Sequence, residues 1–430
     1  MARAAGRRSV LTGSAERRLR HARAVAASRA PRTVAVVGAG LAGAPVARAL
    51  ADEGIDVVFV EAAASVASGA SAVAAGVFHA AFGDANGAHG RLARAASFEV
   101  ARDARRAIDA GLADGRIDGV LRVAELPSTG DPPPGSEVEV ALEQRLDVAE
   151  ARALTGVPLA TGGRWMRLAG VVEPRGLVRA WLAAAGTRAR LLTGRAAAAI
   201  VPVGDRWRVL DAGGIAVVEA DAVVVAAGTA TPALLAPWGA AQWPLRHVRG
   251  QTSRAPAGTW RGTGPLVPLT GDGQAFVDAR GGLVFGATSE AIDGAASRSV
   301  AVRASDHAFN VERLHRLLGA STGIRIEALE GAVGVRLSAA DRLPIIGAVP
   351  VPLAGDGLLA PGLQQPRQVP RVPGLFVCSA FGARGVLWSS LAGRLVAASV
   401  SGATPPVPGA LVDAVDPARF TSRLARRAVR

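Results

Sequence analysis

The chain contains no tyrosine and no lysine, so all 49 of its basic residues are arginine. It has one cysteine, Cys378. A single thiol excludes an internal disulfide and any multi-cysteine zinc or iron–sulfur site, and it fits a reducing cytoplasm. No apolar stretch approaches the roughly 20 residues that a membrane-spanning helix needs, so no membrane partner is expected. Histidines and acids show no metal-ligand spacing; His79 and His247 stand alone and read as structural residues. Acids are also few, with 35 against 49 arginines and a formal charge of +14. That charge suits an anionic partner, nucleic acid first. Arginine bias from a GC-rich genome, which the alanine excess also fits, is the other reading.

At 430 residues, half of them hydrophobic, the chain can bury a sizeable core and is expected to form two domains. Residues 1–32 hold nine arginines and one acid, Glu16. The apolar core of a secretory signal is missing there. The segment reads as a flexible basic arm, either touching nucleic acid or simply solvated, although its composition would also suit an organellar transit peptide.

The stretch TVAVVGAGLAGAPVARALADEGIDVVFVE (33–61) reads as strand, glycine turn, helix and second strand. Gly38, Ala39, Gly40, Leu41, Ala42 and Gly43 form the G-x-G-x-x-G turn, and Pro45 falls in the first helical turn, where a missing N–H is harmless. The first glycine permits the turn, the second lets backbone N–H groups approach a pyrophosphate, and the third lets helix and strand pack closely. Glu61, followed by Ala62, ends the second strand at the spacing of the acid that hydrogen-bonds a ribose hydroxyl. Strand, helix and acid in register predict dinucleotide binding, with FAD or NAD favoured over a ribose 2′-phosphate.

Two later stretches, GASAVAAG and AFGARGV, point to the flavin form, and a core strand between them adds cofactor-binding candidates. GASAVAAG (69–76), with Gly69, Ala70, Ser71 and Gly76, is rich in small residues and could lie against the flavin and its phosphates, Ser71 donating to an oxygen. A plain small-residue helix is the alternative. DAVVVAAG (221–228) reads as a core strand ending at Ala227 and Gly228. AFGARGV (380–386) is a second glycine turn, with Gly382, Ala383, Arg384, Gly385 and Val386 opening a helix. The positive end of that helix would stabilise negative charge on a reduced flavin, unless the unit only completes the sheet. Further helices are expected near 91–113, 173–186 and 307–319, a strand at 283–290, and a loop at PSTGDPPPGSE (127–137).

GAVGVRLSAADRLPIIG (331–347) places Arg336 in an otherwise small, apolar run. A buried guanidinium is costly unless paired, so its partner is either an acid of this chain or a carboxylate brought by substrate. Asp341 and Arg342 are expected to form a turn and a local ion pair. Arg249 and Gln251 read as scaffold as readily as active site.

Taken together, VVGAGLAG with Glu61, GASAVAAG, LRHVRGQ (245–251), GVRLSAADRLPIIG and FGARGV resemble, in order, the D-amino-acid oxidase and glycine oxidase superfamily. Within it, GGRWMRLAGVVEPRGLV (162–178) and DPARFTSRLARR (416–427) are similar to the C-terminal FAD domain of the tRNA-modifying MnmC family. The resemblance implies an α/β fold with a discontinuous Rossmann-like FAD-binding domain and a second, mixed-sheet substrate domain. The expected division is 33–95, 166–244 and 328–402 for FAD, 96–165 and 245–327 for substrate, and a basic tail at 403–430. It implies that FAD is bound, that Arg336 holds a substrate carboxylate, and that tRNA carries a carboxymethylaminomethyl group whose C–N bond is oxidised and cleaved to release glyoxylate. A free small amino acid is the alternative substrate, and a flavin-free RNA-binding protein a third reading. The resemblance leaves open the source of the family's methyltransferase step, a separate methyltransferase chain being one candidate partner. Two departures stand out: Gln274 follows Asp272-Gly273 where an aromatic is expected, and Phe78-His79 replaces a tyrosine-proline pair.

Overall fold

The structure is a computed structural model that describes residues 31–80, 86–124, 142–261, 264–293, 301–353 and 358–428. The expected basic arm, up to residue 30, and the 127–137 loop lie outside the described residues.

A six-stranded sheet runs in the order Ile345–Pro350, Arg371–Ser379, Ala222–Val225, Thr33–Val37, Asp56–Val60, Ala189–Leu192. Its inner strands pair in parallel, Val36 lying beside both Val224 and Phe59. Parallel strands are buried on both faces, which is why TVAVV and AVVV read as unbroken apolar runs. Side-chain alternation then divides them between two cores. Val34 and Val36 pack with the helices Ala44–Asp52, Ala88–Asp109, Pro174–Ala185 and Gly385–Ser401. Ala35 and Val37 pack against Trp207, Val209 and Val218 of a three-stranded antiparallel sheet. The helices expected near 91–113 and 173–186 are therefore the observed Ala88–Asp109 and Pro174–Ala185.

The second unit is a nine-stranded mixed sheet ordered Glu290–Ile292, Leu245–Ala255, Leu283–Gly286, Gly273–Val277, Leu269–Gly271, Val120–Val123, Gly163–Met166, Glu143–Leu146. The strand Glu330–Ala339, assigned by sequence to the FAD segments, pairs along Leu245–Ala255 of this sheet instead. One face is covered by the helix Ala304–Leu318, which packs on Leu121, Trp165, Leu283 and Phe285. The opposite face carries Val120, Met166, Phe276 and Val284 against Val77 and its neighbours on the strand Gly76–Phe78. This second face is the one turned toward the glycine turns.

The expected basic tail is folded among the described residues. Its helices Gly409–Val415 and Arg419–Ala428 bury Leu411, Val415, Phe420 and Ala425. The local Asp341–Arg342 ion pair also does not form. Asp341 pairs with Arg419, which donates from Nε (2.9 Å) and Nη2 (3.1 Å), and with Arg423 at 2.8 Å. Arg342 instead takes a left-handed φ of 59° in a turn closed by its N–H on the Ala339 carbonyl. The turn was legible because Asp-Arg interrupts two apolar strands; the pairing was not, because Arg419 lies 78 residues away.

Candidate active site

Each glycine of the first turn has a steric reason. Gly38 has φ +103°, and a β-carbon there would lie 2.4 Å from the Ala226 carbonyl oxygen. At Gly43 a β-carbon would meet the Gly38 oxygen at 2.0 Å, so the helix could not sit against the strand. At Gly40 it would stand 2.9 Å from Ser71 Oγ. Ser71 accepts a hydrogen bond from Leu41 N–H at 3.1 Å, which fastens the 69–76 segment to the glycine turn. Glu61 spans the same turn, accepting from Ala39 N–H at 2.8 Å and Ala63 N–H at 2.9 Å. Each carboxylate oxygen keeps a further lone pair. Among the described residues, the N–H groups of Gly40, Ala42 and Gly43 have no protein acceptor. These are orphan donors of a helix start, aligned with its positive dipole end, and they suit a phosphate.

The other sequence motifs converge on this turn. A β-carbon at Gly385 would lie 3.1 Å from Leu41 Cδ1, and one at Gly76 would lie 2.7 Å from Val386 Cγ2. The late turn Gly382–Arg384 therefore opens its helix beside both the first turn and the 69–76 segment. Ala227 Cα is 3.2 Å from the β-carbon position of Gly38, which places Ala227 and Gly228 at the same sheet end. Ala62, Gly69, Ala70 and Ala383 are exposed around this ring of turns.

Arg336 closes the group. In the strand Glu330–Ala339, residues 334, 336 and 338 share one face. Gly334 approaches Ala70, its β-carbon position being 3.7 Å from Ala70 Cα. Ser338 bridges to Phe381 and lies 3.2 Å from the β-carbon position of Gly382. Arg336 thus stands between the 69–76 segment and the late glycine turn. Its Nη2 donates to the Thr288 carbonyl at 3.2 Å, and no carboxylate among the described residues lies within ion-pair distance. Burial pushes its pKa below the ordinary guanidinium value, with no acid opposing the shift. A guanidinium still keeps its proton in a protein. The result is a half-buried cation with unused donors.

Gly250, on the neighbouring strand, is what allows this placement. A β-carbon there would lie 2.3 Å from Arg336 Nη2 and 2.8 Å from the Thr288 oxygen. Arg249 and Gln251 alternate to the opposite face and are scaffold. Arg249 is fully buried and donates to Asp306 at 2.5 Å and to the Ala301 carbonyl at 2.8 Å. Gln251 clasps the Arg303 backbone, its Nε2 donating at 2.9 Å and its Oε1 accepting at 2.8 Å. His247 stays at the surface side, 3.3 Å from the Thr229 carbonyl. His79 follows the strand Gly76–Phe78; burial, with Arg384 and Arg122 nearby, pushes its pKa down to about 4, so it is neutral at pH 7.

Two glycine turns at helix starts, an acid at ribose spacing and, between the 69–76 segment and the late turn, a cation with no acid partner among the described residues make an arrangement suited to a flavin. The chain belongs to the FAD-dependent oxidoreductase family DAO, whose model matches residues 33–399, and FAD is its cofactor. It is 37% identical over 417 residues to the tRNA 5-methylaminomethyl-2-thiouridine biosynthesis bifunctional protein MnmC of Burkholderia cenocepacia, covering 92% of this chain and 62% of the relative. The MnmC of Burkholderia pseudomallei is 36% identical over 437 residues, 98% of this chain and 64% of the relative. The chain therefore spans slightly under two thirds of these relatives. Among solved structures, glycine oxidase from Geobacillus kaustophilus aligns with TM-score 0.67 at 22% identity, covering 90% of this chain and 98% of that one. L-Proline dehydrogenase from P. horikoshii aligns with TM-score 0.67 at 17% identity, covering 91% and 98%. At such identities these two speak for the fold alone. No helix among the described residues is long and apolar enough to cross a membrane.

Proposed function

We propose that the protein oxidises a secondary amine on the wobble uridine of tRNA, cleaving the C–N bond of a carboxymethylaminomethyl group so that glyoxylate leaves and an aminomethyl group stays. The observation that carries this reading is Arg336, a half-buried guanidinium with one carbonyl partner and no acid among the described residues. A carboxylate brought by substrate would complete its charge and its hydrogen bonds. The MnmC relatives, which are named for tRNA thiouridine biosynthesis, support tRNA as the carrier of that carboxylate.

The chain's own residues divide the work. The N–H groups of Gly40, Ala42 and Gly43 would hold the cofactor diphosphate, and Glu61 would accept from its ribose. The small residues of 69–76 and the Gly382–Val386 turn leave room for the ring system, and the start of the last long helix favours negative charge there. FAD, when bound there, would supply the two-electron oxidant for the carbon between amine and carboxylate, and water would hydrolyse the resulting imine. Arg336 fixes that carboxylate in a bidentate fork and thereby orients the carbon. No acid or histidine in the site is needed as a strong base, because only the amine proton must be lost. His79 is neutral and near the late turn, so it adds no competing cation.

The test compares Arg336→Leu and Arg336→Lys by anaerobic flavin reduction with tRNA bearing the modified uridine. The leucine variant should stay folded and yellow while kcat/KM falls at least about tenfold, and lysine should rescue only partly. A variant that loses flavin or unfolds, with normal turnover per bound flavin, would show a structural arginine instead.

A further inference from the structure

The face of the large sheet that carries Arg336 continues outward into a row of polar and cationic side chains. Directly paired residues on neighbouring strands lie on the same face. Thr270 is paired with Gln274 on one side and Arg122 on the other; Arg122 is paired with Arg164, and Arg164 with Arg145. Three arginines thus stand opposite one another on three adjacent strands, about 4.8 Å apart strand to strand. Like charges placed directly opposite destabilise a sheet. Only part of that charge is answered: Arg164 reaches Glu143 at 3.1 Å, while no carboxylate among the described residues pairs with the exposed Arg122. Next to Arg122, Thr270 Oγ1 is buried with no hydrogen-bond partner among the described residues, the residue being 7% exposed. Gln274, half-buried, completes the row where an aromatic was expected.

We propose that Gln274, Thr270, Arg122 and Arg164 form a track for the ribose–phosphate backbone of the RNA strand that continues from the reacting nucleotide. The proposal rests on the tRNA reading above. A phosphodiester supplies the anion that Arg122 lacks among the described residues, and its oxygens accept from the orphan threonine hydroxyl and the glutamine amide. The track also reaches the site electrostatically. After burial, the nearby Arg342 and Arg122 are what lower the pKa of Arg384, on the turn that faces Arg336. A charged path from solvent to that turn would steer a polyanion toward the buried cation.

The test uses the FAD-loaded full chain and a labelled, unmodified anticodon stem–loop RNA, with affinity read by anisotropy between about 50 and 300 mM salt. Arg122→Gln/Arg164→Gln should flatten the slope of log K against log salt by about 1.4, since each single-strand phosphate contact contributes about 0.7. Affinity at low salt should fall roughly tenfold or more, and Arg122→Lys/Arg164→Lys should restore most of the slope. Arg188→Gln/Arg190→Gln removes the same charge from exposed positions at the far sheet edge and should keep the original slope. Flavin content and Tm confirm that each variant is folded. If the unsubstituted protein binds RNA but the track variant keeps its slope, the track is wrong and the tRNA reading stands. Equal losses in the far-edge control would also overturn the track, by reducing it to net charge. If the unsubstituted protein binds no RNA, the tRNA reading falls and the track falls with it.

Discussion

Gly250→Ala tests whether the position of Arg336, and not merely its presence, matters for catalysis. The added methyl would lie 2.3 Å from Arg336 Nη2 and 3.0 Å from its Cζ, with the Thr288 carbonyl oxygen at 2.8 Å. Ordinary van der Waals contact begins near 3.4 Å, so the guanidinium must move by about 1 Å or more. The Thr288 carbonyl is fixed, because Thr288 N–H donates to Gln251 O at 3.0 Å, so the long side chain gives way. Its hydrogen bond to Thr288 is then lost. A charged hydrogen bond is worth about 1.5–3 kcal/mol, and a misplaced clamp forfeits at least one to the substrate carboxylate. That corresponds to a fall in kcat/KM of roughly ten- to 150-fold. Overpacking should also cost about 1–3 kcal/mol of stability, seen as a lowered Tm. The assay is anaerobic flavin reduction, normalised to bound FAD. Because both substitutions act through one group, Gly250→Ala in an Arg336→Leu background should cost little further activity. Unchanged kcat/KM in Gly250→Ala, or full additivity with Arg336→Leu, would refute the reasoning.

Three further outcomes follow from the same geometry. Gly43→Ala should purify without flavin, since its methyl would press on the Gly38 oxygen at 2.0 Å and part helix from strand; normal flavin occupancy would remove that contact from the account. Asp341→Ala should lower stability by about 3 kcal/mol, measured by urea unfolding, because it strands Arg419, which is 3% exposed; a loss below about 1 kcal/mol would mean that its carbonyl partners suffice. His79 gives a pH signature: its pKa of about 4 in the fold lies below the ordinary 6.5, so its contribution is complete above pH 6.5 and is lost as pH falls toward 4. That loss amounts to at most about 3 kcal/mol, and His79→Gln should flatten the stability profile between those limits; parallel profiles would contradict it.

The sequence made the cofactor side of the site readable because its constraints are local. Gly38, Gly43 and Glu61 sit at fixed spacing within one strand–turn–helix–strand unit; Gly43 packs on the Gly38 carbonyl and Glu61 accepts from Ala39 N–H inside it, while Gly38 makes room for the Ala226 carbonyl of a later segment. Arg336 was readable for a different reason: a lone cation in a small, apolar run demands a partner. What surrounds it was not readable. The fit of Gly250 under the guanidinium and the Thr288 carbonyl beside it depend on strand pairing across 86 and 48 residues. The arginine row needs the register of three strands from separate segments, which no periodicity in one segment reveals. The face assignment of Leu245–Ala255 separated Arg249 and Gln251 from the site, although the string LRHVRGQ leaves both possible. The closing helices of the tail were hidden by composition: Arg419–Ala428 is rich in arginine, yet Phe420 and the Arg419 ion pair are buried.

The central claim is that a tRNA-borne carboxylate meets Arg336 beside the bound flavin. Anaerobic bleaching of the flavin addresses it directly, with tRNA bearing carboxymethylaminomethyl-uridine, glycine and D-alanine offered in parallel at matched amine concentrations. Rapid bleaching is expected with the modified tRNA, with one glyoxylate released per flavin reduced and far slower bleaching with either free amino acid. Bleaching by glycine or D-alanine with none by the modified tRNA would contradict it.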